Sequence, residues 1–379
     1  MESIRVWLTG AGTTRRLGTN MSLETISEAP GRTIVVDGRE YLFFSGYSYL
    51  GMSHVPAFIE LLKEGLDRFG ALYPSSRVSN TPLSLYGHLE HYLAQLTGRE
   101  ATVTFSSGFL ACMAAGQVVA GLGEVLVAPG THPATGLSGG AWGAGSSGGG
   151  AGTGGNTLGA GSYDEWCDKV LAHTTRAAAT DFVLVMDSVA PLEGAVRDCM
   201  FLQELPRHKR FTVLIDDSHG IGWMGEHGEG ISGGLMHLPH VDYVLAYALS
   251  KALHVQGGAV GCSRAMAERL RRSPLYAGST PMAPAHAHAL LSGGPLYEVQ
   301  RARMVHNWDW LRKKTIAGLV ATAMPVFLCP EEGVADRLRE NGILISSFAY
   351  PDPEGTLVNR VVLSALHRED DLQRLCQAL

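Results

Sequence analysis

Two apolar runs, each closing on a chemically distinctive residue, constrain this chain most. Val213-Leu214-Ile215 leads into Asp216-Asp217-Ser218-His219-Gly220. Val244-Leu245-Ala246-Tyr247-Ala248-Leu249 leads into Ser250-Lys251-Ala252, with Gln256-Gly257-Gly258 just beyond. Phe182-Val183-Leu184-Val185-Met186 and Ala101-Thr102-Val103-Thr104-Phe105 are further strands of the same kind. Strands apolar along their whole length are covered on both faces. This predicts an α/β fold with a mainly parallel central sheet between helix layers.

A lysine delivered by one such strand and an aspartate delivered by another suit pyridoxal phosphate. The amine forms a Schiff base with the aldehyde, and the carboxylate pairs with the pyridinium nitrogen, which keeps the ring an electron sink. The apolar flank of Lys251 predicts a desolvated amine with a lowered pKa. The plainer reading of Lys251 is a solvated loop lysine. For Asp216 it is a helix N-cap, a duty that Asp217 or Ser218 serves equally. Ser107-Gly108-Phe109 stands where a strand turns into a helix, which points backbone N–H groups and the positive end of the helix dipole at an anion such as a phosphate. Glycine there permits close backbone approach; the competing reading is an ordinary turn.

Composition removes several other classes. The 379 residues allow two domains and a substantial core. A net charge of -6 gives no overall pull towards nucleic acid or an anionic membrane. The six cysteines are scattered with no C-x-x-C pair, which favours reduced thiols in a cytoplasm. The fifteen histidines show no H-E-x-x-H, so no metal site is expected. Met1 to Gly10 lacks the pattern of a secretory signal, and no run is long enough to span a bilayer.

Three regions are expected along the chain: residues 1–48 as an arm with a hairpin, 49–283 as a large cofactor-binding domain, and 284–379 as a smaller α+β domain. Thr33 to Val36 and Tyr41 to Phe44 flank Asp37-Gly38, a strong hairpin signal. Pro56 to Phe69 and Leu85 to Leu96 carry apolar residues at helical spacing. A long helical stretch follows Pro284 through Trp308, Trp310 and Leu311. Then come a helix over Val334 to Glu340, strands at Ile343 to Ile345 and Val361 to Leu363, and a last helix from Asp370. Gly136 to Gly161 is dominated by glycine, serine and alanine, reads as a flexible surface loop, and holds no phosphate-loop pattern.

An ordered set of segments resembles a known family. It comprises Tyr49-Leu50-Gly51, Ser75-Ser76-Arg77-Val78-Ser79, Phe105-Ser106-Ser107-Gly108-Phe109, Gly130-Thr131-His132-Pro133-Ala134 and Asp216-Asp217-Ser218-His219-Gly220-Ile221-Gly222. Ser250-Lys251-Ala252-Leu253, Ser279-Thr280-Pro281-Met282-Ala283-Pro284 and Leu366-His367-Arg368-Glu369-Asp370-Asp371-Leu372 complete it. From Tyr41 to Leu379 the chain resembles the α-oxoamine synthases, fold-type-I pyridoxal-phosphate enzymes.

The resemblance implies a decarboxylative condensation of an amino acid with an acyl-CoA to a 2-amino ketone, in a homodimer. Lys251, His132, Asp216 and His219 form the implied catalytic set. Lys251 also removes the Cα proton, His132 stacks on the cofactor ring, and His219 hydrogen-bonds the phenolic oxygen. Asp187 matches an acidic residue near the cofactor, with an N-cap or turn role as the alternative. Ser250 adds a hydroxyl to the phosphate, and Ser279-Thr280 reach the phosphate of the neighbouring subunit. Size and the lack of long extensions look most like the 8-amino-7-oxononanoate synthases of biotin synthesis, which use alanine and pimeloyl-CoA.

The chain also departs from the family pattern. Ala248 replaces a phosphate-binding threonine and Tyr47 replaces an asparagine. Tyr350-Pro351 stands where an arginine usually grips the substrate carboxylate, with Arg360 the nearest later candidate. The glycine-rich tract replaces a helix and strand after the stacking histidine. The same lysine and aspartate also serve aminotransferases and amino-acid lyases. A non-catalytic partner subunit on the same scaffold is the rival from another class. Arg269 to Arg272 reads as a solvated helix face or, alternatively, a contact for CoA phosphates.

Overall fold

The two apolar runs lie side by side as parallel strands, paired from Phe211 against Val241 to Asp216 against Ala246. They belong to a computed structural model that describes residues 26–138, 156–349 and 355–379, together with the backbone of two short strands, Arg15–Leu17 and Met21–Leu23. Two compact units divide the chain. One holds Val55–Pro191 and Val196–Val299; the other holds Met1–His54, Leu192–Ala195 and Gln300–Leu379.

The first unit is built on a six-stranded sheet. Its order is Ala101–Phe105, Gly258–Cys262, Val241–Ala248, Arg210–Asp216, Asp181–Asp187 and Glu124–Val127. Strand Gly258–Cys262 runs antiparallel to both its neighbours, and the other pairings are parallel. Phe182 to Met186 and Val213 to Asp216 are buried residue after residue, as expected of strands covered on both faces. Helix Gly108–Val119 contributes Ala111, Cys112, Ala114, Ala115 and Val119 to the same core as Val103, Val185, Leu214 and Val244. Its small side chains let the helix pack close to the sheet.

The expected strands and helices of this unit are present, and strands Glu124–Val127 and Gly258–Cys262 and helix Tyr163–Arg176 add to them. Gly258–Cys262 was read only as a glycine-rich turn, because two of its five residues are glycine and the run is short. Gly258 is required there: a Cβ on it would lie 2.4 Å from the Ser107 carbonyl oxygen and 2.5 Å from the Gly108 Cα.

The second unit has its own six-stranded sheet, ordered Val320–Ala321, Val326–Leu328, Leu357–Val362, Ile343–Ala349, Arg39–Phe44 and Thr33–Val36. The expected hairpin turns at Asp37 and Gly38 with φ of 50° and 76°, as a two-residue hairpin turn demands. Its second strand pairs in parallel with Ile343–Ala349, so the N-terminal hairpin completes the sheet of the C-terminal strands. Helices Val334–Glu340 and Glu369–Ala378 stand where the sequence placed them.

The stretch after Pro284 differs from expectation. It is two helices, Pro284–Ser292 and Gly294–Arg312, interrupted at Gly293, where a Cβ would lie 2.7 Å from the Ala289 carbonyl oxygen. Of the glycine-rich tract, residues 139–155 lie outside the described residues, as do Tyr350 and Pro351. No helix among the described residues is long and apolar enough to cross a membrane.

Candidate active site

Strand register sets the acidic half of the site. Asp216 ends its strand beside Asp187 on one neighbour and Ala246 on the other. Its Oδ1 accepts the Ser218 backbone N–H at 2.9 Å, an Asx turn, and its Oδ2 accepts the Cys112 thiol at 3.4 Å. The next residue has a separate duty. Asp217 accepts the Ser188 hydroxyl at 2.5 Å and the Ile231 N–H at 3.0 Å. Cβ atoms on Gly220 and Gly230 would lie 2.1 and 1.8 Å from its carboxylate oxygens, so glycine walls enclose it. Burial pushes the Asp217 carboxyl up to about 7, against the pull of those two donors. Asp217 therefore anchors the loop, and Asp216 is the carboxylate of the pair whose charge acts on Lys251.

Lys251 follows strand Val241–Ala248 and is half-buried. Loss of hydration lowers its amine pKa, while the charges of Asp216, Cys112 and Asp187 oppose that shift. Asp187 ends its own strand and is pushed well above the usual carboxylate range, first by burial and then by the Asp216 charge. The His132 N–H donates to both Asp187 oxygens, at 3.2 and 3.0 Å. The exposed His132 ring accepts the Ala134 N–H on Nδ1 at 3.2 Å, which leaves Nε2 as the protonated nitrogen of the neutral ring. Partial loss of hydration on its inner side lowers the His132 pKa, Asp216 raises it and Lys251 lowers it. Lys251, Asp216, Asp187, His132 and Cys112 thus share one field.

A second cluster lies at the start of helix Gly108–Val119. Ser107 caps it, accepting the Leu110 N–H at 3.1 Å. The first-turn N–H groups of Gly108 and Phe109 have no carbonyl one turn back to bond, so they point out of the helix end. A Cβ on Gly108 would sit 2.3 Å from the Ala248 Cβ and 2.7 Å from its Cα. Ala248, at the position expected to hold threonine, is therefore packed against the helix start. Its own N–H donates to the Ser218 hydroxyl at 2.9 Å, tying the Asp216 loop to the strand that leads to Lys251. Gln256 joins the neighbouring loops, donating to the Ser106 carbonyl at 2.8 Å and accepting the Ala283 N–H at 3.0 Å.

The other anticipated residues fall as follows. Ser250 is exposed just before Lys251. The Ser279 hydroxyl donates to the Leu275 carbonyl, and Thr280 is exposed. His219 is half-buried in the turn after Ser218, its carbonyl accepting the Trp223 indole N–H. Arg271 and Arg272 pair with Glu90 and Glu268, at 3.4 and 3.8 Å. In the other unit Arg360 lies on strand Leu357–Val362 with its guanidinium 4.8 Å from the Phe348 ring centre. Burial lowers its pKa, against the influence of Tyr49.

The donor set fits pyridoxal phosphate. The close Gly108–Ala248 approach leaves outward N–H groups for a phosphate, Lys251 has a lowered pKa for its amine, and Asp216 is a carboxylate held at both oxygens. Sequence reading assigned Cys112 no role and Ser218 only an N-cap alternative, whereas the Ser218 hydroxyl accepts the Ala248 N–H. The available signal for Cys112 was its spacing: four residues after Gly108, it shares that residue's helix face.

No protein-family model matches the sequence. The chain is 28% identical over 372 residues to an 8-amino-7-oxononanoate synthase of Pseudomonas putida (strain W619), covering 92% of this chain and 90% of that protein. A protein of the same name from Dechloromonas aromatica (strain RCB) is 29% identical over 389 residues, covering 98% and 96%. Among solved structures, a lysine-to-alanine variant of serine palmitoyltransferase from S. paucimobilis with a bound pyridoxal phosphate–myriocin aldimine superposes with a TM-score of 0.74 at 18% identity. That match covers 94% of this chain and 91% of the other. The fold is that of the fold-type-I pyridoxal-phosphate enzymes.

Proposed function

We propose that this chain works as the α-oxoamine synthase that its sequence and fold resemble, a pyridoxal-phosphate-dependent acyltransferase joining an amino acid to an acyl-CoA thioester. The observation that carries this reading is Asp216 ending its strand beside Asp187, which holds the His132 N–H, together with a helix start shaped for a phosphate against Ala248, three residues before Lys251. The relatives' names supply the reaction class.

Pyridoxal phosphate, when bound, supplies an aldehyde for the amino group and a ring that takes up the electron pair left at Cα. The N–H groups of Gly108 and Phe109, with the Ser107 and Ser250 hydroxyls, would hold the phosphate. Asp216 would keep a proton on the pyridine nitrogen. The His132 ring would pack on the cofactor, its backbone N–H held by Asp187, and His219 would donate to the phenolic oxygen. The Lys251 Nζ, with its lowered pKa, is neutral more readily than an exposed lysine and takes the Cα proton of the amino acid. The new bond joins Cα to the thioester carbonyl carbon. CoA leaves as a thiolate that takes a proton from solvent, the amino acid's carboxylate leaves as carbon dioxide, the proton held by Lys251 returns to Cα, and the product is a 2-amino ketone.

A homodimer brings Ser279 and Thr280 to the neighbouring subunit's phosphate. Six unpaired cysteines suit a reducing cytoplasm. Alanine with pimeloyl-CoA is the first substrate pair to try, on the strength of the relatives' name. Purified holoprotein mixed with single amino acids and acyl-CoAs should release free thiol with one pair. Silence across a broad panel would overturn the reading. Borohydride treatment of the holoprotein should fix the cofactor on Lys251, and an unlabelled Lys251 would remove the chemical basis for it.

A further inference from the structure

We propose that Cys112 is a positioning residue for Asp216, its thiol fixing the carboxylate that meets the pyridine nitrogen and registering it against the phosphate-binding start of the same helix. This rests on the reading of the site as a pyridoxal-phosphate site.

The thiol donates to Asp216 Oδ2 at 3.4 Å, within the reach of a sulfur donor, while Oδ1 takes the Ser218 N–H at 2.9 Å. Each carboxylate oxygen thus has one fixed partner, and the plane of the group is set from two directions. Cys112 is 1% exposed, so water does not compete for the acceptor. Burial, then the adjacent Asp216 charge, raises the thiol pKa well above its ordinary value, so the group stays S–H and remains a donor. A thiol is a weak donor. It orients Oδ2 while drawing off little of the charge that Asp216 needs to keep a pyridinium protonated.

Placement on the helix gives the second part of the argument. Cys112 is four residues after Gly108, so both lie on one helix face. Gly108 is pressed against Ala248, with no room for a Cβ, which fixes that face relative to the strand leading to Lys251. The same rigid turn therefore carries the N–H groups for the phosphate at one end and the contact to Asp216 at the other. The two ends of one ligand are gauged by a single helical turn.

Apoprotein of the wild type, Cys112→Ala and Cys112→Ser should be titrated with pyridoxal phosphate, following visible absorption and its pH dependence. Expected is a cofactor affinity roughly five- to tenfold weaker in Cys112→Ala, the order of one lost hydrogen bond of ordinary net strength, as suits a weak thiol donor, with a displaced pH profile of the bound chromophore. Cys112→Ser, which keeps a donor, should recover most of both. In cofactor-free protein, the infrared S–H band that disappears in Cys112→Ser should shift to higher wavenumber in Asp216→Asn, where the anionic acceptor is gone. Alanine and serine variants that are equally impaired, or that both match the wild type in affinity and pH profile, would overturn the proposal. So would an S–H band indifferent to Asp216→Asn. Wild-type apoprotein that fails to bind the cofactor sinks the functional reading, whereas failure of the infrared shift alone sinks only the role of Cys112.

Discussion

The backbone N–H of His132 donates to both carboxylate oxygens of Asp187, at 3.2 and 3.0 Å. The loop that presents the His132 ring is thereby fastened to the end of a central strand. Asp187 is also the residue paired with Asp216 in the sheet, so the loop and Asp216 share one support. Asp187→Ala should weaken pyridoxal-phosphate binding about tenfold by releasing the loop. Asp187→Asn, which keeps a carbonyl acceptor, should cost less. Titration of the apoprotein checks both, and an alanine variant that binds like the wild type would show that the ring's position does not depend on this contact.

Gly108→Ala tests the close approach at the helix start. The added methyl would meet the Ala248 Cβ at 2.3 Å and Cα at 2.7 Å, and the second of these is main chain that cannot rotate away. Such overpacking costs about 1–3 kcal/mol. Denaturant unfolding of the cofactor-free protein should show the loss directly. The same variant should release phosphate-bearing ligands more readily, since the helix start has to retreat from the strand end. Ala248→Gly added to Gly108→Ala removes only the Cβ clash and should restore only part of the stability.

Arg77 sits in the Ser75 to Ser79 segment that sequence comparison singled out without giving it a task. Its guanidinium meets Glu90 at 2.9 Å and Thr104 Oγ1 at 2.8 Å, and lies 4.5 Å from the centre of the Tyr86 ring. Glu90 also accepts the Thr104 N–H and hydroxyl, at 3.0 and 2.9 Å. Both charged side chains are about nine-tenths enclosed. Glu90→Ala leaves a buried cation without its partner, and such a break costs about 3–5 kcal/mol. Arg77→Met combined with Glu90→Leu should cost less than Glu90→Ala alone. Urea unfolding of the three proteins decides it; a single-variant loss below about 1 kcal/mol would mean that water replaces the pair.

These residues also mark how far the sequence could be read. Continuous apolar runs identified the Asp216 and Lys251 strands, because burial on both faces leaves no room for polar side chains. The Asp37-Gly38 turn was legible because few residues accept positive φ. The antiparallel strand Gly258–Cys262 was hidden, since its glycines answer to a neighbouring loop and not to strand propensity. The Cys112–Asp216 contact links residues 104 positions apart, and no local pattern carries a distance of that kind. The division of labour in Asp216-Asp217 was also open, because an N-cap reading suits either one. The donors and glycine walls around Asp217 separate the anchor from the acid.

His367 gives the second unit a pH dependence of its own. The ring is 4% exposed and stacked on Phe44 with centres 4.0 Å apart. Its Nδ1 accepts the Ser364 N–H at 3.1 Å, so the proton rides on Nε2, which donates to the Phe43 carbonyl at 3.0 Å. Burial lowers the pKa to about 4, although the Phe43 carbonyl and Asp371 pull it upward. The folded state therefore holds a neutral ring while the unfolded chain takes up a proton near pH 6.5. Stability is full above that pH, declines as pH falls through the window from about 6.5 to 4, and levels off below it. The loss attached to this one group is about 3 kcal/mol. Amide hydrogen exchange in strand Leu357–Val362 should accelerate across that window in the wild type, after correction for the intrinsic pH dependence of exchange. In His367→Gln, which has no proton to gain there, the acceleration should largely vanish; an unchanged profile would assign it to other groups.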